Sequence, residues 1–135
     1  MAHFPADLRT LIASTTPISA LVSTRIHYNM LPQASARPHI WFRVARDEEP
    51  RTMDGVGGIH DSNIDIECVG ATEASAQDVA DAVKTKLDGY SGSAGSSTIR
   101  GAFISDKSDE YVPFSIPTDE GVHVVAFDMR CWYTT

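Results

Sequence analysis

The sequence predicts a single α+β domain, an antiparallel sheet of about four strands with helices packed on one face. Three observations carry this. Two alternating segments, HIWFRVAR (39–46) and NIDIECV (63–69), precede one long amphipathic stretch, ATEASAQDVADAVKTKLDGY (71–90). Two further segments, TIRGAFISD (98–106) and GVHVVAFDMRCWYT (121–134), follow it. Hairpin-like pairs on either side of a long helix favour antiparallel neighbours over parallel crossovers. With 135 residues, 42% apolar and 21% charged, the whole chain, 1–135, fits one domain with a core of its own.

The elements follow in order. Residues 5–14 read as a helix, because Pro5 suits a first turn and Leu8, Leu11 and Ile12 recur on one face. TPISALVS (16–23) reads as a second, short helix opened by Pro17. Pro32 and Pro38 make 25–38 an extended connection. In 39–46, Ile40, Phe42 and Val44 face one way, and Trp41 and Arg43 the other. In 63–69, Ile64, Ile66 and Cys68 oppose Asp65 and Glu67. The long helix carries Ala76, Val79, Ala80, Val83 and Leu87 as its apolar stripe, Thr72 and Ser75 as caps, and Gly89 as a stop. SGSAGSS (91–97) reads as a flexible connector. In the last strand Val125, Phe127, Met129 and Cys131 share a face against Asp128, Arg130 and Trp132. Two irregular arms remain, 47–60 and 107–121, each acidic and rich in Gly or Pro, and both are expected to be mobile.

Charge and composition narrow the function. The net charge is −7 and the pI about 5.0, with no basic stripe, so tight binding to a nucleic-acid backbone is disfavoured. No segment nears the roughly 20 consecutive apolar residues of a membrane helix. The opening MAHFPADLRTLIAST lacks the apolar run of a secretory signal. Two cysteines are too few for a disulfide framework, and both sit on core faces as inert thiols.

The glycine-rich stretch DEEPRTMDGVGGIH (47–60) invites three chemical readings. A phosphate loop needs Lys and Ser or Thr after its glycines, where Ile59 and His60 stand. A calcium loop needs alternating ligands and a terminal Glu, which are missing. That leaves an arm, with Asp54, Gly55, Gly57 and Gly58 as its candidate contact residues. The five histidines are scattered without metal-ligand spacing, so neither metal nor cofactor is expected. A small hydrolase using His60 or His123 lacks a nucleophile motif. Trp41 and Trp132, beside Arg43, Asp65, Glu67, Asp128 and Arg130, read as a contact surface, since Trp and Arg concentrate at interfaces. Tyr111 and Phe114 are the matching candidates on the second arm.

Order and spacing together resemble a known family. LRTLIASTTPISALVSTRIHYNMLPQASARPHIWFRV is similar to the opening of the tail-completion proteins of long-tailed phages, prophages and gene transfer agents. DGVGGIHDSNIDIECVGATEASAQDVADAVKTKLDGY resembles their glycine loop, strand and helix, and IRGAFISDKSDEYVP and DMRCWY their last two strands. That family includes tail terminators and tail-to-head joining proteins. The resemblance implies a structural virion protein, not an enzyme. It implies a homo-hexameric ring at the head-proximal end of the tail tube, assembled in the host cytoplasm. Its partners would be its own copies, the tail tube protein and the head completion or connector protein, with no membrane. DNA would pass through the lumen without sequence-specific binding. Asp47, Glu48 and Glu49 are then candidate lumen-facing acids, because duplex DNA carries about one negative charge per 1.7 Å. The competing reading is a soluble binding module outside any virion.

Overall fold

Pro5 fixes the first turn of helix α1 (Phe4–Ser14), and Pro17 that of α2 (Thr16–Val22). The computed structural model describes residues 3–23, 25–28, 38–48, 51–52, 55–56, 59–70, 72–112 and 122–134. After α2 come strands β1 (Ile26–Tyr28), β2 (His39–Glu48), β3 (Arg51–Thr52), β4 (Gly55–Val56) and β5 (His60–Gly70). Helix α3 (Glu73–Leu87) follows, then β6 (Gly92–Ala94), β7 (Ser97–Val112) and β8 (Val122–Thr134). Thr72 caps α3 by accepting the Ser75 N–H at 3.1 Å. The helix ends where Gly89 takes φ 78° and donates its N–H to the Ala102 carbonyl at 2.8 Å.

The main sheet corrects the expectation of about four antiparallel strands. It has six, in the order β1-β2-β5-β8-β7-β6, and it is mixed. The central pairs β2–β5, β5–β8 and β8–β7 are antiparallel as expected. The extra strands lie at the edges. β1 pairs parallel to β2 through Ile26, His27 and Tyr28, within the stretch read as a connection. β6 pairs with the start of β7, within the Gly/Ser stretch read as a linker. Each is three residues long, too short to display a period of two. β3 and β4 form a separate two-stranded ladder at the tip of the β2–β5 connection.

One apolar core lies between the helices and one face of this sheet. Leu8, Ile12, Ile18 and Val22 join Ala76, Val79, Ala80, Val83 and Leu87 of α3. They meet Ile40, Phe42, Ile64, Ile66, Cys68, Val125, Phe127, Met129 and Cys131 from the strands. The α3 stripe and the inward strand residues are those expected from periodicity. Each fully buried Ile or Leu contributes about 1.5–3 kcal/mol by leaving water. Two close approaches fix how the helices sit. A Cβ on Gly70 would come within 2.6 Å of the Ala76 backbone nitrogen, so β5 can meet the start of α3 only without a side chain. Asp7 of α1, 5% exposed, accepts from Ser96 N–H, Ser96 Oγ and Ser97 Oγ at 3.2, 3.0 and 2.6 Å, which ties α1 to the β6–β7 turn.

Candidate functional site

Helices occupy one face of the sheet; Trp41, Trp132, Glu48 and most of the charged strand residues lie on the other. Register places them in rungs that cross four strands. Arg43, Asp65, Asp128 and Asp106 form one rung, and Trp41, Glu67, Ala126 and Ser108 the next. Arg46, Asn63, Arg130 and Phe103 form a third, and Glu48, Asp61, Trp132 and Gly101 a fourth. Alternation across β2, β5 and β8 produces this face, as the sequence pattern implies. An open groove of about 260 Å³ crosses the first two rungs, between Trp41 and Arg43 on one side and Asp106 and Ser108 on the other.

The charges are partly paired. Arg43 donates to Asp65 at 2.8 Å, and Arg46 pairs with Glu48. Arg130 grips Asp61 through two N–H groups at 3.1 and 2.8 Å and lies over the Trp132 ring at 4.9 Å. Phe103, 41% exposed, packs on the same tryptophan at 5.5 Å. The Arg130 hydrogen bonds hold the Asp61 carboxyl below its ordinary value against the opposing effect of burial. The other acids crowd one another. Asp128 is raised by its hydrogen bond with Asp65, by burial and by repulsion from Asp65 and Asp106. Glu67 is raised by burial and by repulsion from Glu110 and Asp65. This surface concentrates negative charge between two tryptophans, and among the described residues it holds no nucleophile with a partnered base. Among the described residues no group of three or more His, Cys, Asp or Glu could hold a metal ion.

The predicted site residues divide as follows. Trp41, Trp132 and Glu48 lie on the helix-free face. Asp47 does not, because a β-bulge between Val44 and Arg46 shifts the alternation and turns it to the helix side. There its carboxylate accepts from Tyr133 Oη and meets His60 Nδ1 at 2.9 Å. Tyr133 is stacked between Phe4, 3.6 Å away, and His60, 4.7 Å away. This cluster sits at the loop end of the β2–β5 pair, and single-residue reading misses it because the bulge gives no pattern signal. Gly55 belongs to β4, paired with Thr52. Tyr111 sits on β7, 55% exposed, with its ring 4.9 Å from that of His123. The first part of the second arm is strand: Lys107 to Val112 pair with Val122 to Phe127. Glu49, Asp54, Gly57, Gly58 and Phe114 lie outside the described residues. Cys68 and Cys131 are free and buried, their thiols pushed up to about 12 by burial.

Comparison with known proteins agrees with this architecture. The family described as tail completion protein gp17 matches residues 6–134. Among solved structures, a chain of the "Virion of native gene transfer agent (GTA) particle" shares the fold with a TM-score of 0.59. That likeness covers 97% of this chain and 91% of the other at 17% identity. No curated protein matches the chain in sequence.

Proposed function

The chain belongs to the tail completion protein gp17 family, and from that premise we propose that it is a tail terminator. The family is one of structural virion proteins, not of enzymes. In the proposed role, copies close into a homo-hexameric ring at the head-proximal end of the tail tube. The ring stops tube polymerisation and receives the head connector, and DNA passes through its lumen. Assembly takes place in the host cytoplasm, and the finished ring lies at the head–tail interface.

The observation that carries this reading is the contrast between the two sheet faces. One is sealed by helices; the other presents Glu48, Asp61, Asp65, Glu67, Asp106 and Asp128 against three arginines, Arg43, Arg46 and Arg130, a net excess of acid. A ring with the helices outside places the acidic face toward the axis. There it repels the duplex backbone, so DNA slides without sticking. Glu49, which follows Glu48 in the sequence, is a further candidate for the acidic lining. Trp41 and Trp132, with Tyr111 and the arm residues Asp54, Gly55, Gly57, Gly58 and Phe114, supply contacts to neighbouring copies, the tube or the connector. Closed rings need two different surfaces per subunit, and a chain with a hairpin on each side has them.

The test is deletion of the gene in the particle-producing strain, followed by electron microscopy of the lysate. Overlong headless tubes are the expected result. Tails of normal length beside full, unattached heads would reassign the chain to joining alone. Normal particles would overturn the reading.

A further inference from the structure

The two outer long strands of the sheet each leave an edge open. β1 covers β2 only at Ile40, Trp41 and Phe42, and β6 covers β7 only from Ser97 to Ile99. On β7, Gly89 N–H satisfies the Ala102 carbonyl and Asp88 accepts from Ile104 N–H. Beyond these points, among the described residues, no backbone partner meets the edge of β2 from Arg43 to Glu48 or of β7 from Ser105 to Val112. Such edges carry unpaired N–H and C=O groups and are templates for another strand.

We propose that the Ser105–Ser108 edge of one subunit pairs antiparallel with the Arg43–Glu48 edge of the next copy of this chain. The inference rests on the ring reading above and names the contact that closes it. Three features of the molecule support it. The first is direction. β2, β5, β8 and β7 alternate in direction, so β2 and β7 run oppositely within one subunit. Rotation about an axis along the strands brings the neighbour's β2 beside β7 in antiparallel sense, and every further copy joins the same way. The second is charge. On the helix-free face, β7 offers Asp106 and Glu110, whereas β2 offers Arg43 and Arg46 together with one acid, Glu48. β7 against β7 would set acids opposite acids, whereas β2 brings two arginines against them. Like charges directly opposite destabilise a strand pair, so β7 against its own copy is disfavoured relative to β7 with β2. The third is support. Gln77 of α3 donates to Asp109 at 3.1 Å and accepts from Lys107 at 3.0 Å, which braces the β7 edge from the helix side. A braced strand loses less conformational freedom when it docks.

The experiment uses particles from the producing strain in which this chain carries Arg43→Cys together with Ser108→Cys, treated with a short bis-maleimide. The native thiols are buried and stay silent. The expected result is a ladder of cross-linked multimers on a denaturing gel, absent from either single variant. Arg46→Cys with Asp106→Cys tests the same pairing farther along both strands. Rings visible at the tail end without a ladder from either pair overturn the edge pairing and leave the ring reading standing. Multimers from a single variant overturn it as well, because they mean that a strand meets its own copy. Particles that carry no ring of this chain overturn both.

Discussion

Asp65 and Asp128 sit opposite each other across the β5–β8 pair, and their carboxyls are shifted in opposite directions. Burial raises Asp65, but the hydrogen bonds from Arg43 and Asp128 bring it below its ordinary value; Asp128, hydrogen-bonded to Asp65 and repelled by it, is raised. The folded protein therefore holds a proton on Asp128 more tightly than the unfolded chain does. The contribution of Asp128 is full below the ordinary value of 3.8 and is lost as pH rises through the raised folded value. Asp128→Asn removes the repulsion and gives Asp65 a permanent donor. It is expected to stabilise the protein at neutral pH by roughly 0.5 kcal/mol, the scale of a like-charge cross-strand pair. The gain should shrink toward pH 3.8 in thermal melts across pH. A neutral-pH melting temperature that drops would refute the account.

Asp7 has the opposite pH signature. Burial alone would raise it, yet the Ser97 and Ser96 hydrogen bonds hold it below 3.8. Its contribution is full above that value and is lost as pH falls through the lower folded one. Asp7→Ala should cost about 1.5–3 kcal/mol, the range for hydrogen bonds to a charged group. Urea midpoints at neutral pH check the magnitude. The gap between the variant and the parent protein should close in acid below pH 3.8.

Gly70→Ala tests the seating of α3. The added methyl meets backbone, not a side chain that could swing away, at 2.6 Å. Overpacking of this kind costs about 1–3 kcal/mol. An unchanged melting temperature would mean that β5 and α3 approach less closely than described.

How much of this was legible in the sequence depends on which residues carry a period. The α3 stripe from Ala76 to Leu87 and the alternations centred on Phe42, Ile66 and Phe127 all lie in the core as expected. So does the division of Trp41, Arg43, Asp65 and Glu67 from them. What escaped had no periodic signal to show. β1 and β6 are three residues each, one preceding a Pro-containing stretch and the other rich in Gly and Ser. Lys107 to Val112 read as part of an arm because the stretch 107–121 is acidic and holds Pro113 and Pro117, yet their backbone completes a ladder with β8. The bulge after Val44 moved Asp47 to the helix side, where Tyr133 and His60 engage it. A bulge inserts one residue without changing composition, so no count of apolar positions detects it.

Tyr133→Phe isolates that last contact. The ring keeps its stacks on Phe4 and His60 and loses the hydroxyl bond to Asp47. A loss of about 1 kcal/mol is expected, the net worth of one such hydrogen bond. Tyr133→Ala should cost more, about 3–5 kcal/mol, because it also empties a buried aromatic site. Chemical denaturation of both variants separates the two contributions. Equal losses would mean that the stacking carries nothing.

The lumen claim is tested by charge on the helix-free face. Asp47 is a poor probe, because neutralising it also breaks its bonds to Tyr133 and His60. Glu48→Gln, Glu67→Gln and Glu110→Gln avoid that cluster, and Glu49→Gln is added as the sequence neighbour of Glu48. At a separation of ~10 Å, each carboxylate repels a phosphate by roughly 0.4 kcal/mol in water before screening. Removing four should therefore slow DNA ejection by about severalfold at low salt, as the duplex begins to adhere to the wall. The effect should fade as ionic strength shortens the screening length. Ejection timed by dye influx or single-particle fluorescence, with tail length as the assembly control, provides the readout. Normal tails with ejection kinetics unchanged at every salt concentration would mean that this face does not line the channel.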